Sequence, residues 1–445
     1  MESIIVAGGG LVGAVLSIYL AQRGYQVTIY ERNSDPRTTF KPTRPSINLT
    51  LCERGLRSLE RIGVRQEIEH LLIPAYGRYI HHKNGEVVYQ PYGLEGQAIY
   101  SVSRNALNAA LLSAAEKNGV RLVFSTRCLD IDLNKGEVLL EDASGHSWHE
   151  LPACTFAADG CFSTFRSRLQ RKERFDYSQH YSRQGYCEFH LPACAPGLST
   201  WPLQGLHLWP RSGHMMIAFP NHDGSLTCSL HLPFEGQPSF ESLLTEDDLI
   251  RLFQSDFSDL LPMIPNLAAQ FFEQRPNTML TIRCSPWSYE DKLLLIGDSA
   301  HAILPSYGQG ANAGFEDCAI LDEIIGQHAP DWKRIFRTFE QVRKPETEAI
   351  ATLCYEHFAE LNDLASDAEF QSRRRLEYQL HQLFPERFIP LYSMITFTSM
   401  PFSKAVQKHK EQQILVEKLI KHPDLAGFLK QETGRLWLEE HLSCE

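Results

Sequence analysis

The chain contains no run of ~18 uninterrupted apolar residues, so a bilayer-spanning helix and membrane association are not expected. It also lacks basic excess: 43 lysines and arginines stand against 54 aspartates and glutamates, a formal net charge of -11. Phosphate backbones are held by basic patches, so nucleic acid is not expected as a partner. No Cys-x-x-Cys pair occurs among the eleven cysteines. An odd, scattered set fits reduced thiols in a core better than a disulfide framework or a zinc site. Internal repeats and low-complexity segments are absent. The start lacks a basic n-region: Met1-Glu2 leads straight into Ser3-Ile4-Ile5-Val6-Ala7, which reads as a strand rather than an export signal. A cytoplasmic location is expected. No sequence feature fixes the oligomeric state.

What is present is ordinary globular material, 445 residues of which 43% are hydrophobic and 22% charged. That length suggests two or three structural units. The apolar run Ile4–Ala7 ends at Gly8-Gly9-Gly10-Leu11-Val12-Gly13. Ala14 to Arg23 reads as an amphipathic helix stopped by Gly24, and Gln26–Tyr30 as a second strand with Glu31 at its end. In this strand–helix–strand order Gly8 permits the tight turn, Gly10 lets backbone approach a pyrophosphate, and Gly13 allows close packing. The helix N-terminus offers free N–H groups to the phosphate. Glu31 would accept from ribose hydroxyls and disfavours a 2′-phosphate, leaving FAD or NAD. Glycine turns also occur for purely structural reasons; the complete unit makes that reading the weaker one.

Two later segments narrow the choice. Phe156-Ala157-Ala158-Asp159-Gly160 continues to Ser163 and Arg166, which alone could be a strand-to-helix turn capped by Ser163 or Asp159. Leu293–Ile296 is a buried strand ending in Gly297-Asp298, followed by Pro305, Tyr307, the turn Gly308-Gln309-Gly310-Ala311-Asn312 and a helix. Together the three glycine motifs, in this order, resemble the fingerprints of group A FAD-dependent aromatic hydroxylases. The resemblance implies an α/β fold: a Rossmann-like FAD-binding domain, a mixed β-sheet substrate domain and a helical C-terminal region. It implies FAD held by Gly8, Gly10, Leu11, Val12, Gly13, Glu31 and Arg32, with Asp298 on the ribityl chain. It further implies that Asp159 and Gly160 serve FAD pyrophosphate and NAD(P)H, and that Arg104 contacts the flavin or its phosphates. Gly308 to Asn312 would set backbone N–H groups and a helix dipole by the flavin ring, favouring the negative charge of reduced flavin. His301 reads as structural, and His81-His82 as a polar strand end without the further ligands of a metal site.

Further segments are similar to the kynurenine 3-monooxygenase family over nearly the whole chain: Pro45–Leu49, Gln90-Pro91-Tyr92-Gly93, Leu206–Pro210, Met215–Asn221, Asn312–Cys318 and Arg387–Met394. The resemblance implies L-kynurenine hydroxylated to 3-hydroxykynurenine, with NADPH and O₂ as co-substrates and a flavin C4a-hydroperoxide as the oxygen donor. It assigns the substrate carboxylate to Arg78, Tyr92 and Tyr392. Pro305 and Tyr307 line the pocket, and no acid/base catalyst is implied. Three positions depart from the pattern. His357 stands at a family asparagine, Ser306 at an aromatic, and Pro45, with Arg44 before it, at an arginine. These keep open a substituted kynurenine or another aromatic or polyketide substrate.

By the same resemblance, residues 1–70, 98–175 and 280–335 form the FAD-binding domain. Residues 71–97 and 176–279 form the substrate sheet, where Met215–Phe219 and Leu226–Leu232 read as strands. Residues 336–445 are helical: Ser372 or Arg373 to Leu383 reads as an exposed helix, and Ile414–Ile420 as an amphipathic helix covering the pocket. No Trp-x-Trp-x-Ile segment points to a halogenase. A non-catalytic flavin-fold escort is the rival from another class, and the intact Gly-Asp and Gly-Gln-Gly segments argue against it.

Overall fold

A computed structural model describes residues 2–38, 48–195, 197, 201–359, 368–422 and 424–442. Ser3–Ala7 is buried from Ile4 onward, on both faces of the strand. A strand buried on both sides belongs inside a parallel sheet. It pairs in parallel with Gln26–Tyr30 on one side and Cys154–Ala157 on the other, and the latter pairs in parallel with Leu293–Leu295. Arg121–Val123 and Ser288–Tyr289 complete six strands. The three glycine motifs, scattered along the chain, thus leave the carboxyl ends of three adjacent strands, where α/β sheets bind ligands.

Helix Leu11–Gln22 departs from the amphipathic expectation. Leu11 and every residue from Gly13 to Leu20 are buried, because the sheet, helix Gly310–His328 and helix Arg104–Lys117 enclose it. A helix apolar all round is what such enclosure demands.

The second layer is a seven-stranded sheet in the order Asn277–Ser285, Asp176–Leu191, Leu226–Pro233, His214–Pro220, Gly205–Arg211, Gly77–His81 and Val87–Pro91. The strands expected around Met215 and Leu226 are both present. Successive side chains point to opposite faces. One face packs Phe189, Trp209, Met216, Leu230 and Leu232 against helix Glu246–Asp256. The other walls a cavity. A small three-stranded sheet orders Asn48–Leu51, Ile99–Ser103 and Ile73–Ala75.

His81 ends its strand, Gly77–His81, but it does not face solvent. It is buried and stacked on Trp209 at 4.2 Å, with its Nε2 2.9 Å from His207 Nδ1. His207 Nε2 lies 3.0 Å from the Pro202 carbonyl, which can only accept, so His207 donates there and accepts from His81. Burial drives both imidazoles down, His81 to about 3 and His207 to about 4, and holds them neutral. No group of metal-ligating side chains occurs among the described residues.

In the C-terminal region, Ala368–Leu383 is not simply exposed: Leu376 and Leu380 are buried against Leu415, Val416 and Leu419 of helix Phe402–Ile420. Each such side chain contributes roughly 1.5–3 kcal/mol by leaving water. That contact takes up the apolar face of the helix's C-terminal half, while Phe402 and Ala405 pack in a separate cluster with Leu391 and Met394, and no residue of the helix lines the cavity. No helix among the described residues is long and apolar enough to cross a membrane. The described cysteines are all free and most are buried.

Candidate functional site

At the first motif each glycine has a distinct role. Gly8 has φ +103°, and a Cβ there would stand 2.5 Å from the Ala158 carbonyl oxygen. On Gly13 a Cβ would be 2.0 Å from the Gly8 oxygen, whereas on Gly10 it would meet nothing within 4 Å. Helix Leu11–Gln22 has no side-chain cap and no acid in its first turn, so its leading N–H groups and positive dipole end face that open side. Glu31 is pinned: Oε2 accepts from Gly9 N at 2.8 Å and Oε1 from Asn33 N at 2.9 Å. Arg32 beside it is exposed. Open space over bare helix N–H groups fits a pyrophosphate. Accordingly, Gly13→Ala should lower the melting midpoint and deplete flavin together. Gly10→Ala should melt normally yet lose flavin on gel filtration, measured as flavin absorbance per protein.

The second and third motifs are joined by one hydroxyl. Ser299 Oγ donates to Asp159 Oδ1 and accepts from Gly160 N, each at 3.0 Å. Asp159 Oδ2 accepts from Thr164 N at 2.8 Å, and Ser163 caps the helix Thr164–Leu169. Burial pushes the Asp159 carboxyl up, partly offset by the serine hydroxyls. Asp159 therefore braces the turn, the local role that a capping reading describes. Asp298, by contrast, is exposed between the buried neighbours Gly297 and Ser299. Arg104 is also exposed, as the first residue of its helix, within electrostatic reach of Cys161 beside the Asp-Gly turn.

Gly308, at φ +64°, closes a turn so tight that a Cβ would lie 2.2 Å from Thr50 Oγ1. Asn312 pins the turn: its Nδ2 donates to the Gly308 and Thr50 carbonyls at 2.7 and 2.9 Å, and its Oδ1 accepts from Cys52 N. Gln309 is buried beside Cys52. These two side chains face inward, leaving only backbone to meet a ligand. Gly310 faces open space, and helix Gly310–His328 begins without a side-chain cap or acid.

Behind this turn lies a charge network that motif reading did not anticipate. Buried Arg343 donates through Nε to Asp317 Oδ1 at 2.8 Å and through Nη1 to Glu316 Oε2 at 2.9 Å. His301 Nε2 is 2.6 Å from Asp317 Oδ2, so His301 is structural. Arg54 pairs with Glu316, donates to the Met400 carbonyl and lies 4.0 Å from the Phe402 ring. Burial pushes Asp317 up, but His301 and Arg343 outweigh it and hold the carboxyl below its usual range.

The seven-stranded sheet, the small sheet, the Pro305–Gly308 turn and the helical region together line a cavity of about 190 Å³ whose lining includes Arg78, Tyr92, Pro305, Tyr307, His357 and Tyr392. Tyr92 stacks on Tyr392 at 5.3 Å, Tyr392 on Tyr307 at 5.9 Å, and Tyr307 lies 4.3 Å from His357. Arg78 Nε donates to Gln90 Oε1 at 2.8 Å. Burial pushes the Tyr92 phenol up to about 12, with Arg78 pulling the other way, so it stays protonated and can donate. The side chains assigned to an anionic substrate group thus share one compartment, floored by the Pro305–Gly308 turn. Ser306 turns its hydroxyl to the Cys354 carbonyl at 2.6 Å. Arg44 and Pro45 lie outside the described residues. Sequence reading missed Thr227, Ser229 and His231, which also line the cavity. Their signal was the period-two alternation of polar residues with Cys228 and Leu230.

A family profile described as "FAD binding domain" matches residues 1–351. The chain is 38% identical over 425 residues to kynurenine 3-monooxygenase of Christiangramia forsetii, covering 95% of each chain. It is 40% identical over 419 residues to that of Flavobacterium johnsoniae, covering 94% of each. Among solved structures, tetrameric 2-methyl-3-hydroxypyridine-5-carboxylic acid oxygenase superposes with TM-score 0.66 at 20% identity, covering 85% of this chain and 93% of that one. P. aeruginosa PqsL in complex with 2-aminobenzoylacetate gives 0.63 at 18%, covering 83% and 99%. At these identities the structural likenesses establish the fold.

Proposed function

Because the chain belongs to the kynurenine 3-monooxygenase family of FAD-binding proteins, we propose that it hydroxylates L-kynurenine to 3-hydroxykynurenine, with NADPH and O₂ as co-substrates. It is an FAD-dependent aromatic monooxygenase. FAD supplies the redox and oxygen-activating chemistry when bound; the chain contributes position, water exclusion and charge placement. Gly8, Gly10, Leu11, Val12 and Gly13 would hold its pyrophosphate, Glu31 and Arg32 its ribose end, and Asp298 its ribityl chain. Asp159, Gly160 and Arg104 would border the phosphates. Gly308 to Asn312 would present backbone N–H groups to the flavin ring, where the helix dipole favours the anionic reduced form.

The observation that carries the substrate reading is the shared cavity of Arg78, Tyr92 and Tyr392. An arginine fork beside two protonated phenols suits a carboxylate, which gains charge-assisted hydrogen bonds. With that end fixed, the aromatic ring extends along the apolar wall toward Pro305 and Tyr307. A substituted kynurenine is the second reading, favoured by His357 packed on Tyr307 where the family pattern has asparagine.

The test follows NADPH oxidation by the yellow holoenzyme with and without L-kynurenine, identifying the product by mass. Stimulated oxidation with one oxygen added supports the reaction. Stimulation yielding only peroxide points to a modified substrate. Bound FAD without stimulation discards kynurenine. Substituting NADH reports the nucleotide preference.

A further inference from the structure

Strand Leu226–Pro233 sends Thr227, Ser229 and His231 to the cavity side, opposite a face of Leu226, Cys228, Leu230 and Leu232 that packs in the outer core. Across the sheet, Ser229 is in register with Ile217 and His231 with Met215. On that side the polar row borders an apolar wall; on the other, the buried carboxylate Glu188 stands in register with Ser229, and Tyr186 with His231. His231 is buried, its Nε2 lies 3.1 Å from Ser229 Oγ, and its Nδ1 is buried without a hydrogen-bond partner. Burial lowers His231 to about 4, so it is neutral at working pH. A neutral imidazole carries one proton. On Nδ1 it would be an orphaned buried N–H, a rare arrangement in native proteins; on Nε2 only a lone pair is left unpaired, a milder defect. The second tautomer prevails. Nε2–H then donates to Ser229 Oγ and leaves the serine O–H as a donor within the cavity wall.

We propose that Ser229, oriented by His231, is a specificity-determining donor that binds a hydrogen-bond acceptor on the substrate between its anionic end and its ring, the aryl ketone oxygen. The strand bearing Arg78 stands three strand spacings from that of Ser229, roughly 14 Å before side-chain reach is subtracted. A ligand anchored at Arg78 therefore presents to Ser229 a group several bonds along its chain rather than the anion. This assignment rests on the kynurenine reading above.

The test uses FAD-loaded enzyme and two ligands, L-kynurenine and its analogue with the ketone replaced by methylene, titrated by flavin absorbance changes. The wild-type protein should bind the ketone roughly 5- to 10-fold more tightly, the effect of one buried hydrogen bond. Ser229→Ala should reduce that ratio to near one, with flavin content unchanged. His231→Phe should reduce it in part, by releasing the serine rotor. If His231→Phe fails to retain flavin, Ser229→Ala decides alone. A wild-type ratio preserved in Ser229→Ala overturns the subsite while leaving the kynurenine reading intact. Wild-type protein that binds neither ligand overturns both.

Discussion

Replacing Arg343 with methionine should lower the unfolding midpoint sharply and release flavin, the largest stability loss expected from any single side chain in the site. The guanidinium is 2% exposed and contacts Asp317 and Glu316 at once. Removing one partner of a buried ion pair costs about 3–5 kcal/mol, because the remaining charge stays buried without compensation. Among the described residues Asp317 then keeps His301 as its ion-pair partner, and Glu316 keeps Arg54. The damage should reach the cofactor because His301 ends the short helix that Asp298 begins, while Asp317 lies on the helix headed by Gly310. Arg343→Lys retains charge but loses the fork that spans two carboxylates, so an intermediate loss is expected. Midpoints of thermal unfolding and flavin retained after gel filtration measure both effects. An Arg343→Met protein that melts like wild type and stays yellow would remove the network from any supporting role.

Arg78→Ala should weaken L-kynurenine binding roughly 10- to 150-fold, the range for hydrogen bonds to a charged group. Flavin content should stay normal, because Arg78 stands on the seven-stranded sheet and the glycine motifs on the six-stranded one. The decarboxylated amine of the same ligand separates recognition from structure. It has no carboxylate to lose, so its affinity should barely change. Equal losses for both ligands would make Arg78 a packing residue whose Gln90 contact shapes the wall.

The parts of this protein legible in its sequence were those set by local geometry. Gly8, Gly160, Gly297 and Gly308 all have positive φ, and such turns advertise themselves as glycine flanked by short apolar strands. The strands around Met215 and Leu226 were legible through their runs of apolar residues. What stayed hidden depends on contacts distant in the chain. The Arg343 network joins four segments and looks, in sequence, like unrelated surface charges. His81 read as polar because nothing nearby announces Trp209 or His207. The apolar stripe of Ile414–Ile420 was visible but its partner was not: periodicity names a face to be covered, and only the packed structure shows that Leu376 and Leu380 cover it. Ser229 and His231 carried a weak alternating signal that acquires meaning only once that face walls a cavity.

The hydroxyl of Ser299 has a consequence for how such a protein can change. It welds the Asp159-Gly160 turn to the Gly297-Asp298 turn, 140 positions apart from Asp159 to Ser299, so neither can drift independently. A swap of either segment with a relative imports one half of a mated pair. Chimeras joined between residues 160 and 297 should succeed when both parents carry a hydroxyl and an acceptor at these two places. For anyone recombining such sequences, these distant fragments are a single heritable unit.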